Sequence, residues 1–346
     1  MSRLFALGGN LVAFAAGIGL LARYVSPQVF WPPAIVALFL PVLIIGTLVY
    51  VVLQVFRRRY GALFFPVLVL LCALPLLDRL FAWPQSRPEP AEEVPVLNLL
   101  TANQRFFHYE DRSDVDTARV SAVFNTYHTQ VALLQEVRST RYRIDYIPEI
   151  ISATGLSNRH QLENTLIATY ADSLSDYTAA FTMPNKYNGY VVSDVYTGIG
   201  TLRVINAHLE TNRISALARD MRADRSISSY LTVAADMLRG YRNSARIRAA
   251  QAAEIREIID QSPYPVILGG DFNDVPSSYT YQRLLSPRLQ DAWAVRGAGL
   301  GTTFTGPLPG LRIDYFLVDT SLTVVDIERL SPEWSDHRPL RLTVAR

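Results

Sequence analysis

A single acidic residue, Asp78, stands among the first 83 positions, where six arginines interrupt an otherwise almost wholly apolar run. Such a stretch cannot supply the wetted surface of a globular domain, so the chain divides into an apolar front and a different remainder. A bilayer's hydrocarbon is about 30 Å thick and takes about 20 helical residues to cross. The sequence therefore predicts a membrane domain over 1–83 with three transmembrane helices, at Leu4–Leu21, Pro33–Phe56 and Ala62–Leu77. A cleaved leader would account for the first of these and not for the other two. Tyr24, Phe30, Trp31 and Trp83 fall at span ends, where amphipathic rings favour the headgroup layer. The basic cluster Arg57-Arg58-Arg59 places its loop in the cytoplasm. The expected location is thus the inner membrane, multi-pass, with everything after Trp83 facing outward to the periplasm. Cys72, the single cysteine, lies in the third span, excludes an internal disulfide and reads as a small apolar filler.

From Pro84 to Pro95 the chain is a proline-rich polar linker that stays extended and spaces the next domain from the bilayer. Residues 96–346 are enough for one large domain. They carry 26 basic against 27 acidic side chains, a balance that lacks the global basic footprint of nucleic-acid binders. Strands are predicted at Val96–Ala102, Val131–Leu134, Asn164–Thr169, Gly189–Tyr196, Leu202–Ala207, Val266–Gly270, Ile313–Val318, Leu322–Leu330 and Leu340–Val344. Helices are predicted at Val115–Tyr127, over about Ser215–Ile259 and near Tyr281–Leu285. Mixed strands and helices in this order suggest sheets sandwiched by helices.

Polar residues collect where these strands end. The aliphatic run Val266-Ile267-Leu268 before Gly269-Gly270 reads as a buried strand that delivers Asp271 and Asn273 to one face, since side chains two apart on an extended backbone point the same way. Asn103, Glu136 and His208 come after other strands, Asp314 lies within Arg312-Ile313-Asp314-Tyr315, and Asp336-His337 come near the end. If these ends converge, Glu136, Asp271, Asp314 and Asp336 crowd like charges that repel by roughly 4 kcal/mol per pair at about 4 Å and an effective dielectric near 20. A bound cation relieves that, and oxygen ligands without thiolate suit Mg²⁺ rather than Zn²⁺.

Six motifs in order, Leu100-Thr101-Ala102-Asn103, Leu134-Gln135-Glu136, Asn206-Ala207-His208-Leu209, Gly270-Asp271-Phe272-Asn273, Arg312-Ile313-Asp314-Tyr315 and Ser335-Asp336-His337-Arg338-Pro339, resemble the endonuclease/exonuclease/phosphatase family. The apolar front resembles that of membrane-anchored bacterial members. The resemblance implies an α/β four-layer sandwich of two mixed sheets flanked by helices, hydrolysing a phosphoester with Mg²⁺, or Mn²⁺ in its place. It implies that Glu136 ligates the metal with Asn103 and Asp336 beside it, and that Asp271 orients or deprotonates the attacking water. Asn273 would donate to a non-bridging phosphate oxygen. His337, held by Asp314, would bind phosphate or shuttle a proton, and His208 would be the second imidazole at the phosphate, in position to act as acid to the leaving oxygen.

The sequence departs from the family where Ala168 and Thr169 stand in place of a serine and a basic residue, with Tyr170 beside them. His108, His128 and His160 match no motif and read as structural or surface residues, and Asp274 as a turn or cap. Between Arg213 and Arg248 eight arginines face three acids, a solvated helix face or a surface for lipid phosphates, with Arg219 and Arg222 on one side and Arg225 close by. Three functions fit: a nuclease outside the cytoplasm, a hydrolase of phospholipid or sphingolipid headgroups, and a non-enzymatic membrane scaffold with a retired site. Anchoring favours lipid, the intact acidic and imidazole set disfavours the scaffold, and no protein partner is inferable.

Overall fold

The computed structural model describes residues 2–85, 94–107, 117–126, 128–139, 144–162, 165–169, 174–180, 188–212, 227–306, 310–331 and 335–346. Most of the predicted linker, His108, Tyr170 and Arg213, Arg219, Arg222 and Arg225 lie outside these residues. The chain forms two compact units: Met1–Leu80 with Asn212–Ala252 and Asp274–Leu284, and Phe81–Thr211 with Ala253–Asn273 and Leu285–Arg346.

The second unit is an α/β sandwich of two six-stranded mixed sheets. One is built from β1 (Val96–Asn103), β2 (Val131–Gln135), β5 (Asn158–Leu162), β6 (Thr165–Thr169), β13 (Thr323–Arg329) and β14 (Leu340–Ala345), in the order β13-β14-β1-β2-β6-β5. The other takes β7 (Leu174–Ala180), β8 (Gly189–Thr197), β9 (Gly200–His208), β10 (Val266–Asp271), β11 (Leu289–Asp291) and β12 (Asp314–Asp319), in the order β11-β12-β10-β9-β8-β7. A short hairpin, β3 (Arg138–Ser139) with β4 (Ile144–Asp145), stands apart. Each large sheet holds one parallel pair, β1 with β2 and β9 with β10, and every other pairing is antiparallel.

Period-two alternation sorts the side chains. Leu97, Leu99, Val131 and Leu133 join Val204, Ile267, Phe316 and Val318 in the core between the sheets. Leu100, Ala102, Ala132 and Leu134 point the other way, onto Phe124 of the helix Thr117–Thr126 and onto Ile147 and Ile150 of the helix Ile147–Thr154. Continuing the inner rows in steps of two along each strand reaches Asn103, Gln135, His208 and Asp271. Just below that edge the two sheets are joined by a buried polar link, where Gln135 Nε2 donates to Asn206 Oδ1 at 2.6 Å and to Thr101 Oγ1 at 3.3 Å, and Asn206 Nδ2 donates to the Leu134 carbonyl at 3.0 Å.

The glycine pair serves two needs. A Cβ on Gly269 would lie 2.7 Å from Leu133 Cδ1 and 2.8 Å from the Phe316 ring, so a side chain there would wedge the sheets apart. Gly270 sits at φ +131°, and a Cβ would lie 2.0 Å from the Ala207 carbonyl oxygen of the neighbouring parallel strand.

The first unit is helical, and it corrects the expected membrane crossings at Leu4–Leu21, Pro33–Phe56 and Ala62–Leu77. Helices run Ser2–Leu21, Pro32–Ala37, Leu40–Phe56 and Phe64–Leu80, and among the described residues none is long and apolar enough to cross a membrane. The second expected span is broken between Ala37 and Leu40, where Pro41 sits near the start of the next helix and has no N–H to continue the preceding ladder. Two of the helices have 17 residues each, about 25 Å of rise against about 30 Å of hydrocarbon. Asn10 and four glycines dilute the first. Ala16, Leu20, Leu40, Ile44, Val69, Ala73 and Leu76 pack these helices together.

The same unit takes most of the helix Ile227–Asp260: Tyr241 donates through its hydroxyl to the Ala34 carbonyl at 2.8 Å, and Ser277 Oγ to the Ala37 carbonyl at 2.9 Å. Arg248, expected on a solvated face or at lipid phosphates, is fully buried, with Nε 3.1 Å from Asp274 Oδ2 and its guanidinium over the Tyr241 ring. That pairing also gives Asp274 a partner beyond the turn expected of it.

Replacing Gly270 with alanine is expected to lower unfolding free energy by roughly 2–4 kcal/mol, through strain at positive φ and collision with β9. Gly198→Ala, with nothing within 4 Å of the added Cβ, should stay within about 0.5 kcal/mol of the parent. Equal urea midpoints for the two variants would remove this account of the glycine pair.

Candidate active site

Both parallel pairs end at the same edge of the sandwich. β9 and β10 finish side by side, with His208 paired in register to Asp271, and the antiparallel neighbour β12 begins there with Asp314 opposite Asp271. In the facing sheet β1 and β2 finish at Asn103 and Gln135, Glu136 comes next, and Asp336 and His337 enter the edge just ahead of β14. Residues far apart in sequence therefore meet because parallel strands present their carboxyl ends together, while antiparallel partners start at that end.

Asn103 Nδ2 donates to Asp271 Oδ2 at 3.0 Å and to Glu136 Oε1 at 3.3 Å, tying the carboxylates of the two sheets. His208 Nε2 lies 3.7 Å from Glu136 Oε1 and 3.9 Å from Asp271 Oδ2. His337 Nδ1 lies 3.0 and 3.1 Å from the two Asp314 oxygens, and its Nε2 is 3.8 Å from Asp271 Oδ2. Ser335 Oγ accepts from the His337 backbone N–H at 3.1 Å, Thr303 Oγ1 accepts from the Asp314 N–H at 3.1 Å, and Phe304 meets the His337 ring edge-on. Asp336 keeps its side chain toward Arg105, 3.6 Å away, while its carbonyl accepts from both the N–H and the hydroxyl of Thr305.

The structure thus brings together Asn103, Glu136, His208, Asp271, Asp314 and His337, with Asp336 close enough for its charge to act on Glu136 and His337. Asn273 departs from expectation. The strand stops at Asp271, and Asn273 turns to φ +52°, with its N–H donated to Asp271 Oδ1 at 2.9 Å and Nδ2 to the Leu209 carbonyl at 3.0 Å. The shared-face argument fails because extended geometry ends two residues too early. Outside the site, His160 bonds Ser193 at 2.6 Å, His128 is exposed in a turn, and Arg312 pairs with Asp291 rather than with Asp314.

Burial pushes the Asp271 carboxyl up to about 6, raised further by Asp314 and opposed by His337 and His208. Glu136 is raised by burial as well. Burial alone would lower His337, yet the charges and hydrogen bond of Asp314, with Asp271, lift it to about 10. Crowded carboxylates left short of positive charge are a fitting environment for a divalent ion, and the donor set of oxygens and imidazole without thiolate suits a hard one. Asp271, Asp314 and His337 offer ligand atoms within 4.8 Å of one another and form a candidate metal site.

Strain collects here too. Glu136 (φ +54°) and Asn273 (φ +52°) are left-handed, as are Arg105 (φ +43°) and Phe106 (φ +52°) in the turn after β1. Each non-glycine residue in that region costs roughly 1–2 kcal/mol. Arg105, Thr303, Phe304 and Ser335 were not among the sequence candidates. Ser335 lies within one of the six motifs, but nothing in local spacing marks the other three.

Both upward shifts mean that the cation-free folded state binds more protons than the unfolded chain. Stability from this pair is full below about pH 4 and is lost as pH rises through about 6 for Asp271 and about 10 for His337. Asp314→Asn should move the His337 titration, followed by imidazole NMR, to lower pH and reduce turnover roughly 10²-fold or more while leaving the fold intact. An unmoved His337 titration would contradict Asp314 as its electrostatic partner.

A family model described as the endonuclease/exonuclease/phosphatase family matches residues 100–337, and one described as a domain of unknown function matches residues 2–80. Comparison with curated proteins gives no match. Among solved structures, humanized D. rerio TDP2 with 14 mutations is similar at TM-score 0.54 and 16% identity, covering 72% of this chain and 99% of that one. An endonuclease/exonuclease/phosphatase from Beutenbergia cavernae is similar at 0.51 and 18%, covering 72% and 71%. The human nocturnin catalytic domain is similar at 0.50 and 14%, covering 74% and 96%. At such identities the likeness speaks for the fold, and it is the family model, spanning most of the chain, that assigns it: the chain belongs to the endonuclease/exonuclease/phosphatase family and is a phosphoric ester hydrolase with a candidate metal site.

Proposed function

We propose that this metal-dependent phosphoesterase works at a bilayer, held there by its apolar helices, and hydrolyses a phosphoester of a lipid. The observation that carries the membrane part is the outer surface of the helical unit. Leu11, Phe14, Val42, Ile45, Leu71 and, at 81% exposure each, Phe56 and Phe64 are turned outward on helices that already have a packed interior. An apolar exterior of this kind marks a membrane or partner surface. Arg57, Arg58 and Arg59 come directly after Phe56, where guanidinium groups meet anionic headgroups. Lipid is favoured over nucleic acid because residues 96–346 are nearly charge-balanced and because confinement to a surface raises the effective concentration of a lipid substrate.

At the site, Asp271 is the water-orienting or accepting group: its raised pKa of about 6 lies near neutrality, where a general base is most effective. His337, oriented through Nδ1 by Asp314, turns Nε2 toward Asp271 and meets the phosphate as a cation. His208 serves as the second imidazole and proton donor to the leaving oxygen, and Asn273 as an amide donor at the phosphate. Glu136, with Asn103 and Asp336, is assigned to Mg²⁺ or Mn²⁺, because both Asp314 oxygens are already engaged by His337. When bound, the ion would neutralise charge on the phosphoryl oxygens.

Chelation is expected to abolish turnover and Mg²⁺ to restore it, with Glu136→Gln weakening Mg²⁺ affinity by calorimetry more than Asp314→Asn does. Asp271→Asn and His337→Ala should each lose roughly 10²–10⁴ in kcat. Offered phospholipid vesicles, plasmid and oligonucleotide, the protein should cleave lipid; DNA cleavage alone would overturn the substrate reading. Release from membranes by a high-salt wash would overturn the apolar attachment.

A further inference from the structure

The turn after β1 is built at a backbone cost. Arg105 and Phe106 are consecutive left-handed residues, and neither is glycine. Three hydrogen bonds fix them to the site: the Arg105 N–H donates to Asn103 Oδ1 at 2.9 Å, the Phe106 N–H to the Glu136 carbonyl at 2.9 Å, and the Gln104 N–H to the Gln135 carbonyl at 2.8 Å. Persistent strain over-determined by neighbours points to a functional placement of the group the turn carries. Here that group is a guanidinium. Arg105 Nη1 stands 3.6 Å from Asp336 Oδ2, beyond hydrogen-bond distance, and the side chain is 36% exposed. Its charge also acts on Glu136. An arginine needed only to neutralise Asp336 would close that gap and bury the pair. This one stays partly exposed, and its guanidinium is a planar fork of donors.

Charge sets the ligand class. Glu136, Asp271, Asp314 and Asp336 repel an incoming phosphate anion, and one divalent ion offsets only part of that. A phosphoester therefore needs a further cation at the mouth, and guanidinium matches two phosphate oxygens in a single plane. Resting on the phosphoesterase reading, we propose that Arg105 is the substrate-phosphate clamp of this site, taking non-bridging oxygens of the bound ester through a guanidinium held in place by the strained turn.

The test compares the parent with Arg105→Gln and Arg105→Lys in the full chain, using bis(p-nitrophenyl) phosphate as substrate and inorganic phosphate as the bound anion. Arg105→Gln should weaken phosphate binding about tenfold by calorimetry and raise KM by a similar factor. Its kcat should change less than threefold, and its Mg²⁺ affinity should be no weaker than the parent's. Arg105→Lys should recover part of the phosphate affinity. Identical phosphate isotherms for parent and Arg105→Gln would overturn the proposal, as would a fall in Mg²⁺ affinity and kcat with phosphate binding unchanged, the signature of a strap on Asp336 alone. Phosphate calorimetry needs no turnover, so a parent that binds phosphate but cleaves no phosphoester counts against the functional reading while the isotherms still decide the role of Arg105.

Discussion

Like charges held together out of water are the constraint to which the rest of the catalytic unit answers. Glu136, Asp271 and Asp314 are brought to one edge with Asp336 beside them, and each pair at contact distance repels by several kcal/mol in a protein interior. Every neighbouring feature reduces that repulsion. Asn103 places one amide between two carboxylates, His337 takes up a proton and sits against Asp314, and His208 stands between Glu136 and Asp271. A deficit of positive charge remains, which is the condition a phosphoesterase of this family requires of its protein before a divalent ion and a phosphate arrive.

Holding that arrangement is a task for the scaffold. The Gln135–Asn206 link locks the registers of the two sheets next to the site, and the glycine pair lets β9, β10 and the facing sheet approach closely enough for their ends to share ligands. Left-handed backbone at Glu136 and Asn273 turns the chain sharply as it leaves β2 and β10, so that polar groups stop at the rim instead of continuing outward. Stability is thus given up locally where function needs it and recovered in the apolar rows beneath.

The helical unit poses a different balance. Its interior is packed, its exterior is apolar, and its long helix adds a fully buried Arg248–Asp274 pair. Composition alone could not foresee that pairing. An arginine at a helical position reads as solvated, and only the return of residues 274–284 to this unit supplies the carboxylate that makes burial tolerable.

Amino-acid order by itself determined nine of the strands and the polar residues that terminate them. Apolar alternation and glycine placement are local properties, and Asn103, Glu136, His208, Asp271, Asp314 and His337 could be named from them and from motif resemblance. The strands Asn158–Leu162 and Leu174–Ala180 escaped notice because polar side chains hide their periodicity and pairing with β6 and β8 stabilises them. Tertiary structure alone decided three things. It ended β10 before Asn273, it set Arg105 beside Asp336, and it divided the long apolar front into helices of which, among the described residues, none is long and apolar enough to cross a membrane. Each depends on backbone dihedrals and on contacts between distant segments, and hydropathy measures neither.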